Sequence, residues 1–500
     1  MSDSKPTTPP IDPQSIPRGA SQLWRIWLPL AGGLIVALMP VPAGLSPEAW
    51  YYFALFVTVL LGLITEPIPA TAVAFIGITT AAALGLPFTA AQRANPAFQQ
   101  PAEAVKWVLA GFSNGTVWLI FAAFVFAMGY EKTGLGRRLA LLLVRALGGR
   151  TLGLGYAVAF SDLILSPFTP SNTARSAGSV YPVIRNIPEL YGSHPGPTAR
   201  KIGAYLMYVA FATTCVTSSM FITALAPNLL ILEMVKKATG IEVSWVHWAV
   251  GFLPVGALLV LTLPWLIYKV YPPEIQTSNE VPQWAQRQLT AMGRVTRREL
   301  TMAALASVAL SLWIFGGSFI DATLVAITGV SLMLVCGVVT WDDITGNKPA
   351  WNVLAWFATL VVLADGLNRV GFVAWIGQGT AALLSGYPPL VVMTLLVAFF
   401  FLIHYMFAGL TAHTTAVLPV VLAAGLSVEG LPVKTFIMLL GYCLGIMGIL
   451  TPYATGPAPL YYGCGFIERK DFWRLGFGFG MLFLVSMLLI VLPWLQVLNR

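Results

Sequence analysis

Two short stretches concentrate polar side chains within otherwise apolar sequence. The first, ILSPFTPSNTARSAG at residues 164–178, groups Ser166, Thr169, Ser171, Asn172, Thr173, Arg175 and Ser176 around Pro167 and Pro170. Proline removes a backbone hydrogen bond, and at membrane depth the freed groups need protein, water or a ligand as partner. Hydroxyls and an amide crowded at that point therefore imply a wet cavity. Helices that begin there aim unpaired N–H groups and partial positive charge into it, which is chemistry for an anion. The second stretch, FAGLTAHTTAVLP at residues 407–419, places Thr411, His413, Thr414 and Thr415 at a similar turn. Each stretch reads Thr-Ala followed by a residue that can carry positive charge, Arg175 in one and His413 in the other. A divalent anion would find a donor from each. Arg175 also reads as half of an internal ion pair or as a side chain reaching for the surface, and His413 as a structural hydrogen-bonding group.

Two further interruptions fit the same picture: VTSSMFITALAPN at residues 216–228 and LTPYATGPAPLYYG at residues 450–463. Discontinuous spans present carbonyl oxygens to cations and helix N-termini to anions, which makes Thr223 and Thr455 matched candidates. A proline kink relieved by neighbouring hydroxyls is the other reading. The remaining charges look local. Asp365 and Arg369 stand one helical turn apart as an ion pair, Glu131 and Lys132 sit at a span end, and Glu66 in a TEPIP turn reads as a structural cap. No nucleophile beside a base, HExxH, Walker loop or catalytic carboxylate pair occurs, which argues against an enzyme or a primary pump. His404 and His413 are nine residues apart and share no helical face, and His194 and His247 fall in loops or span ends, so no metal-ligand set forms.

The elements that must position these residues follow from composition. The 500 residues are 57% hydrophobic and 10% charged, with a mean hydropathy of +0.78. Such a chain cannot fold as a soluble globule or stay disordered, so the expected class is an all-α polytopic membrane protein. A span needs roughly 20 apolar residues. About eleven segments approach this, near 24–42, 48–64, 68–88, 107–130, 199–235, 246–270, 299–318, 321–340, 351–376, 434–464 and 472–497. Residues 151–186 and 388–425 are apolar but broken centrally, and read as re-entrant hairpins. Cys215, Cys336, Cys443 and Cys464 lack CxxC spacing and read as buried small residues.

The net charge of +8 invites a nucleic-acid reading, but its placement explains it otherwise. Residues 1–22 form a proline-rich polar tail without signal-peptide pattern, expected to be disordered and cytoplasmic. From that start, with neither hairpin crossing, the basic clusters at residues 137–150, 287–298 and 469–474 all fall inside. Outer segments keep only Arg93, Lys106, Lys236, Lys237, Lys434 and Arg500. That is the positive-inside pattern, so the expected partner is a lipid bilayer and not nucleic acid.

The halves repeat at a shift of 232 to 238 residues: Gly129 and Gly134 fall on Gly366 and Gly371, Thr173-Ala174 on Thr411-Ala412, and Thr223, Ala226 and Pro227 on Thr455, Ala458 and Pro459. By the charge count one hairpin opens to each side, so the repeats are inverted, an architecture of secondary transporters. The expected division is an N-terminal group of scaffold spans at 23–106, a first inverted repeat at 107–270, a cytoplasmic linker at 271–298, scaffold spans at 299–350 and a second inverted repeat at 351–500.

At GFSNGTVWLIFAAFVFAMGYEKTGLGRRLA (111–140), SPFTPSNTARSAG (166–178), HYMFAGLTAHTTA (404–416) and LTPYATGPAPLYYG (450–463) the chain resembles the divalent anion/sodium symporter family. It is most similar to the branch of citrate/succinate and tartrate/succinate antiporters and plastid 2-oxoglutarate/malate translocators. The resemblance covers nearly the whole chain after the tail. It implies a homodimer with an elevator mechanism, in which a transport domain moves against fixed scaffold helices. It also implies a carboxylate and cation site at Ser171, Asn172 and Thr173, with sodium near Ser171 and Asn172 where sodium is used. The family's second Ser-Asn-Thr falls on Gly409, Leu410 and Thr411, and Leu410 offers no oxygen to a sodium ion. The resemblance thus favours exchange of di- or tricarboxylates such as citrate, succinate, malate, 2-oxoglutarate or tartrate, bound by Ser171, Asn172, Thr173, Thr411, Thr223 and Thr455, across a bacterial inner membrane without a cofactor. A sodium-coupled dicarboxylate symporter is the alternative. An anion channel and a membrane enzyme using His404 and His413 are remote ones.

Overall fold

The computed structural model describes residues 23–499 apart from Ser278, Ser318 and Ser385, with backbone alone at residues 381–383. The tail expected at residues 1–22, and Arg500, lie outside the described residues. Among these residues all regular elements are helical, and β pairing is confined to one isolated bridge between Arg150 and Thr277. Among the described residues, seven helices are long and apolar enough to cross a membrane: Pro47–Thr65, Thr151–Phe168, Trp245–Val270, Arg297–Phe315, Lys348–Arg369, Pro389–Met406 and Arg469–Leu498. Five shorter apolar helices accompany them: Trp24–Leu38, Ala70–Ala83, Ala322–Val335, Leu410–Leu426 and Val433–Ile449.

One order of elements runs twice. Gly115–Thr133 ends at Gly134 and Lys348–Arg369 ends just before Gly371, and these glycines have φ of 75° and 80°, a left-handed conformation that costs glycine little. A 13-residue helix follows each, Leu135–Leu147 and Phe372–Leu384. Next comes a hairpin arm ending in a tight 3-10 turn, at Ser166–Phe168 in one repeat and Ile403–Met406 in the other. The return arms start at Asn172 and at Leu410. Each repeat then has a broken helix pair, Gly203–Met220 with Ala226–Thr239 and Val433–Ile446 with Pro457–Gly463, before its last long helix. Gly129 and Gly366 serve the same end in the two repeats. A Cβ on Gly129 would sit 2.3 Å from Met333, and one on Gly366 would sit 2.0 Å from the Tyr52 hydroxyl, so each glycine permits close helix contact.

Two expectations change and a third is extended. The segment expected as a linker contains the helix Glu280–Ala291, because Val281, Ala285 and Leu289 recur every four residues and bury one face. Gln288 and Gln286 of the same helix accept hydrogen bonds from Arg137 and Arg145 of Leu135–Leu147. Of the cysteines, Cys215 and Cys443 are buried, but Cys336 is exposed at the end of Ala322–Val335 and Cys464 is intermediate. Glu66 caps Pro47–Thr65 as expected, its N–H bonded to the Gly62 carbonyl, and it also lines a cavity.

Apolar packing separates into two clusters. The smaller joins Tyr52, Phe56, Ile78, Trp107, Leu360 and Leu363, from the N-terminal helices and from Lys348–Arg369. The larger takes in the hairpins, the broken helices and the spans between them.

Candidate functional site

Both hairpin tips and both helix breaks open into one cavity of about 300 Å³. Ser171, Asn172 and Thr173 line it from the first tip, Gly409, Leu410 and Thr411 from the second, and Ala226 and Thr455 from the breaks. Leu63, Glu66, Ala70, Phe124, Val353, Trp356 and Phe357 complete its lining. The volume lies at the small end of ligand pockets, which run from about 300 to 1,000 Å³.

Local sequence explains the first tip. Pro167 and Pro170 stop the incoming helix, and Ser171 caps the outgoing one by accepting the Ala174 N–H at 3.2 Å. The helical run 172–184 starts on the cavity wall and passes through a π-helical turn at Ser176–Val180. The Asn172 amide donates to the Thr455 hydroxyl at 2.9 Å, tying the tip to the second helix break. Thr173 is exposed to the cavity and packs so closely on Gly456 that a Cβ there would come within 1.8 Å of its hydroxyl.

The second tip is made by backbone. Gly409 has φ 111° and ψ 148°, a region that side-chain-bearing residues essentially avoid. The helix Leu410–Leu426 begins directly after it, with Leu410 and Thr411 on the cavity wall. The Thr411 carbonyl accepts from Thr415 at 2.9 Å, while its hydroxyl is unpaired among the described residues. Three helices thus start at the cavity, at Asn172, Ala226 and Leu410, each bringing on the order of half a positive charge.

The structure does not bring three of the sequence candidates to this wall. Arg175 is 1% exposed and saturated by protein. Its Nε donates to Asp162 at 3.0 Å, one Nη to the carbonyls of Thr169 and Ala224 at 3.1 Å, and the other to the hydroxyls of Thr214, Thr217 and Ser218 at 3.2 Å. Thr217 also donates to Asp162. Of the readings open for Arg175, the internal ion pair is the one formed, and it staples the hairpin to the first broken helix. His413 is fully buried behind Thr411, in edge contact with Phe400, His404 and Phe407, and neither ring nitrogen has a partner among the described residues. Thr223 donates to the Pro167 carbonyl at 2.6 Å, accepts from the Trp245 indole at 3.1 Å, and faces a separate cavity of about 290 Å³ with Glu233, Lys236 and Asp321.

Sequence reading missed Asp162, Trp356 and the cavity position of Glu66. An acid inside the apolar run Thr151–Leu165 was itself a signal that a buried partner existed. The Trp356 indole N–H is buried and unpaired among the described residues, and nothing in its neighbourhood marked it. Where sodium is expected, the Leu410 side chain supplies no oxygen, the Ser171 hydroxyl caps a helix, and the Asn172 NH2 group donates to Thr455 while its carbonyl oxygen is unpaired among the described residues.

The sequence matches, over residues 20–500, the family described as the sodium:sulfate symporter transmembrane region. The chain belongs to this family. Membership agrees with the resemblance to divalent anion/sodium symporters and identifies a transporter, not an enzyme. Within the symporter family, the L-tartrate/succinate antiporter of Escherichia coli strain K12 is 50% identical over 481 residues, spanning 96% of this chain and 99% of that protein. Those of Shigella sonnei and Shigella flexneri match at the same identity and coverage. Among solved structures, the YdaH transporter of Alcanivorax borkumensis aligns with a TM-score of 0.56 at 17% identity, covering 85% of this chain and 98% of that one. Neisseria gonorrhoeae MtrF, from a class of antimetabolite efflux pumps, aligns with a TM-score of 0.53 at 14% identity, covering 85% and 94%. At such identities the likeness concerns the fold alone.

Proposed function

We propose that the protein is a multi-pass inner-membrane antiporter that takes up one small dicarboxylate, such as tartrate, in exchange for another, such as succinate. The observation that carries this reading is the single cavity onto which both hairpin tips open, lined by Ser171, Asn172, Thr173, Thr411 and Thr455 with three helix N-termini. Their summed partial charge, on the order of one to two units, suits a dianion without a cationic side chain on the wall. The apolar Leu410 and the half-identical tartrate/succinate antiporters favour exchange over sodium symport.

The cavity is lined by residues of both apolar clusters, which supports an elevator in which the hairpins and broken helices carry substrate past the scaffold spans. With the N-terminus inside, Pro47–Thr65 ends on the cytoplasmic side, so the Glu66 end of the cavity is its inner mouth. Homodimeric assembly belongs to the same reading.

In proteoliposomes, labelled succinate should enter vesicles preloaded with tartrate or succinate and not empty ones. Uptake into empty vesicles driven by a sodium gradient selects the symporter instead, and conductance without counter-substrate selects a channel. Asn172→Ala and Thr411→Ala should each cut exchange at least tenfold, about 1.4 kcal/mol, while purifying as well-folded protein. Undiminished exchange in both contradicts the assigned site.

A further inference from the structure

We infer that Glu66 is a specificity-determining residue that favours hydroxylated dicarboxylates over unsubstituted ones. The inference rests on the exchange reading above. Glu66 is the one charged side chain among the residues lining the 300 Å³ cavity. It is also the one non-glycine residue with positive φ among the described residues, at φ 46° and ψ 56°. Pro67 follows it, and a residue before proline is normally pushed into extended conformation, so the surroundings hold Glu66 against local preference. Non-glycine residues kept in such sparsely populated conformations cluster at functional sites. Its side chain is exposed and has neither a hydrogen bond nor an ion pair among the described residues.

A carboxylate on the wall of a dicarboxylate site needs a reason. An ionised carboxylate only accepts hydrogen bonds. Succinate likewise only accepts, so its four oxygens use the N–H and hydroxyl donors of the tips and meet Glu66 as repulsion. A hydroxyl on either central carbon changes this. It brings an O–H donor, and the Glu66 carboxylate, on the lining of the same cavity, is the acceptor for it. Hydrogen bonds to a charged acceptor are the strong ones, and a site built to bind a hydroxyl discriminates against the analogue lacking it. The strained backbone then serves to present this acceptor from the end of Pro47–Thr65 toward a substrate held by Ser171, Asn172, Thr173 and Thr411.

The test uses the full chain in proteoliposomes loaded with succinate, with labelled succinate outside and unlabelled tartrate, malate or succinate as competitor. The wild type should be inhibited at lower concentrations of tartrate and malate than of succinate. Glu66→Asn keeps a side chain that tolerates the left-handed backbone, and Glu66→Gln keeps the length without the charge. Each should reduce the hydroxy-acid preference by about tenfold, mainly through KM. A wild type that prefers succinate overturns the inference without any variant. So does an unchanged preference in whichever variant purifies folded and exchanging, or a variant that alters sodium dependence and leaves preference intact, which would make Glu66 a cation ligand. If the wild type exchanges no dicarboxylate at all, it is the exchange reading that fails.

Discussion

The two hairpin tips occupy matching places in the repeat and are built on different principles. At the first, side chains make the site: Ser171 caps the helix, Asn172 reaches Thr455, and Arg175 behind them is bonded at every nitrogen. At the second, backbone makes it: Gly409 takes a conformation reserved for glycine, Leu410 is apolar, and the His413 ring behind them has no hydrogen-bond partner among the described residues. The difference teaches that one end of the cavity is specified by what its residues are and the other by where the chain is able to go. Substitutions should therefore act by lost hydrogen bonds at the first tip and, Thr411 apart, by backbone strain at the second.

The largest effect belongs to Arg175. Removing one partner of a buried ion pair costs about 3–5 kcal/mol because the other charge is left unpaired. Arg175→Ala should lose the folded protein, read as yield and melting temperature in detergent, and Arg175→Lys should not restore it, since a lysine cannot reproduce the planar fork spread over Asp162, two carbonyls and three hydroxyls. Arg175→Ala with an unchanged melting temperature would remove the contrast between the tips.

Gly456→Ala comes next. The new methyl would lie 1.8 Å from the Thr173 hydroxyl, an overlap that must push the first tip away from the second helix break. Overpacking of this kind costs about 1–3 kcal/mol, and here it falls on a residue proposed to hold substrate, so exchange should drop more than stability. The double variant Gly456→Ala with Thr173→Ala should recover melting temperature but not exchange. Recovery of both would mean that Thr173 only fills space.

At the second tip, Gly409→Ser should destabilise by about 1–3 kcal/mol even though nothing lies within 4 Å of the added Cβ. Space is available and the conformation is not. The same variant restores a hydroxyl at a position where the family resemblance implies one. Higher exchange with an unchanged melting temperature would therefore favour side-chain chemistry at this tip as well.

How much of this could be read from sequence depends on the range of the physics involved. The tips and breaks were legible because proline, glycine and small polar residues inside apolar runs are local statements, and the repeat added that they recur in order. Arg175 was ambiguous only while treated alone: Asp162 lies 13 residues earlier on the other arm of the same hairpin, so folding the hairpin brings the charges together. The helix Glu280–Ala291 was hidden by its polar residues, although Val281, Ala285 and Leu289 had helical spacing. Glu66 and Trp356 meet the cavity through tertiary packing from distant helices, and no local pattern marks such a position.

The repeat also misled at one pair, which sets the smallest prediction. Thr223 and Thr455 match in sequence, but symmetry relates positions and not partners. Thr455 accepts from Asn172 on the cavity wall, whereas Thr223 is spent between the Pro167 carbonyl and the Trp245 indole. Thr223→Val should lower the melting temperature by the equivalent of about 1–2 kcal/mol, one or two net hydrogen bonds, and leave the KM for succinate in exchange unchanged. Thr455→Val should raise that KM several-fold at a similar or smaller stability cost, because the Asn172 amide loses its anchor while remaining next to water. Equal effects of the two variants on KM would return Thr223 to the site and with it the strict twofold design that the sequence suggests.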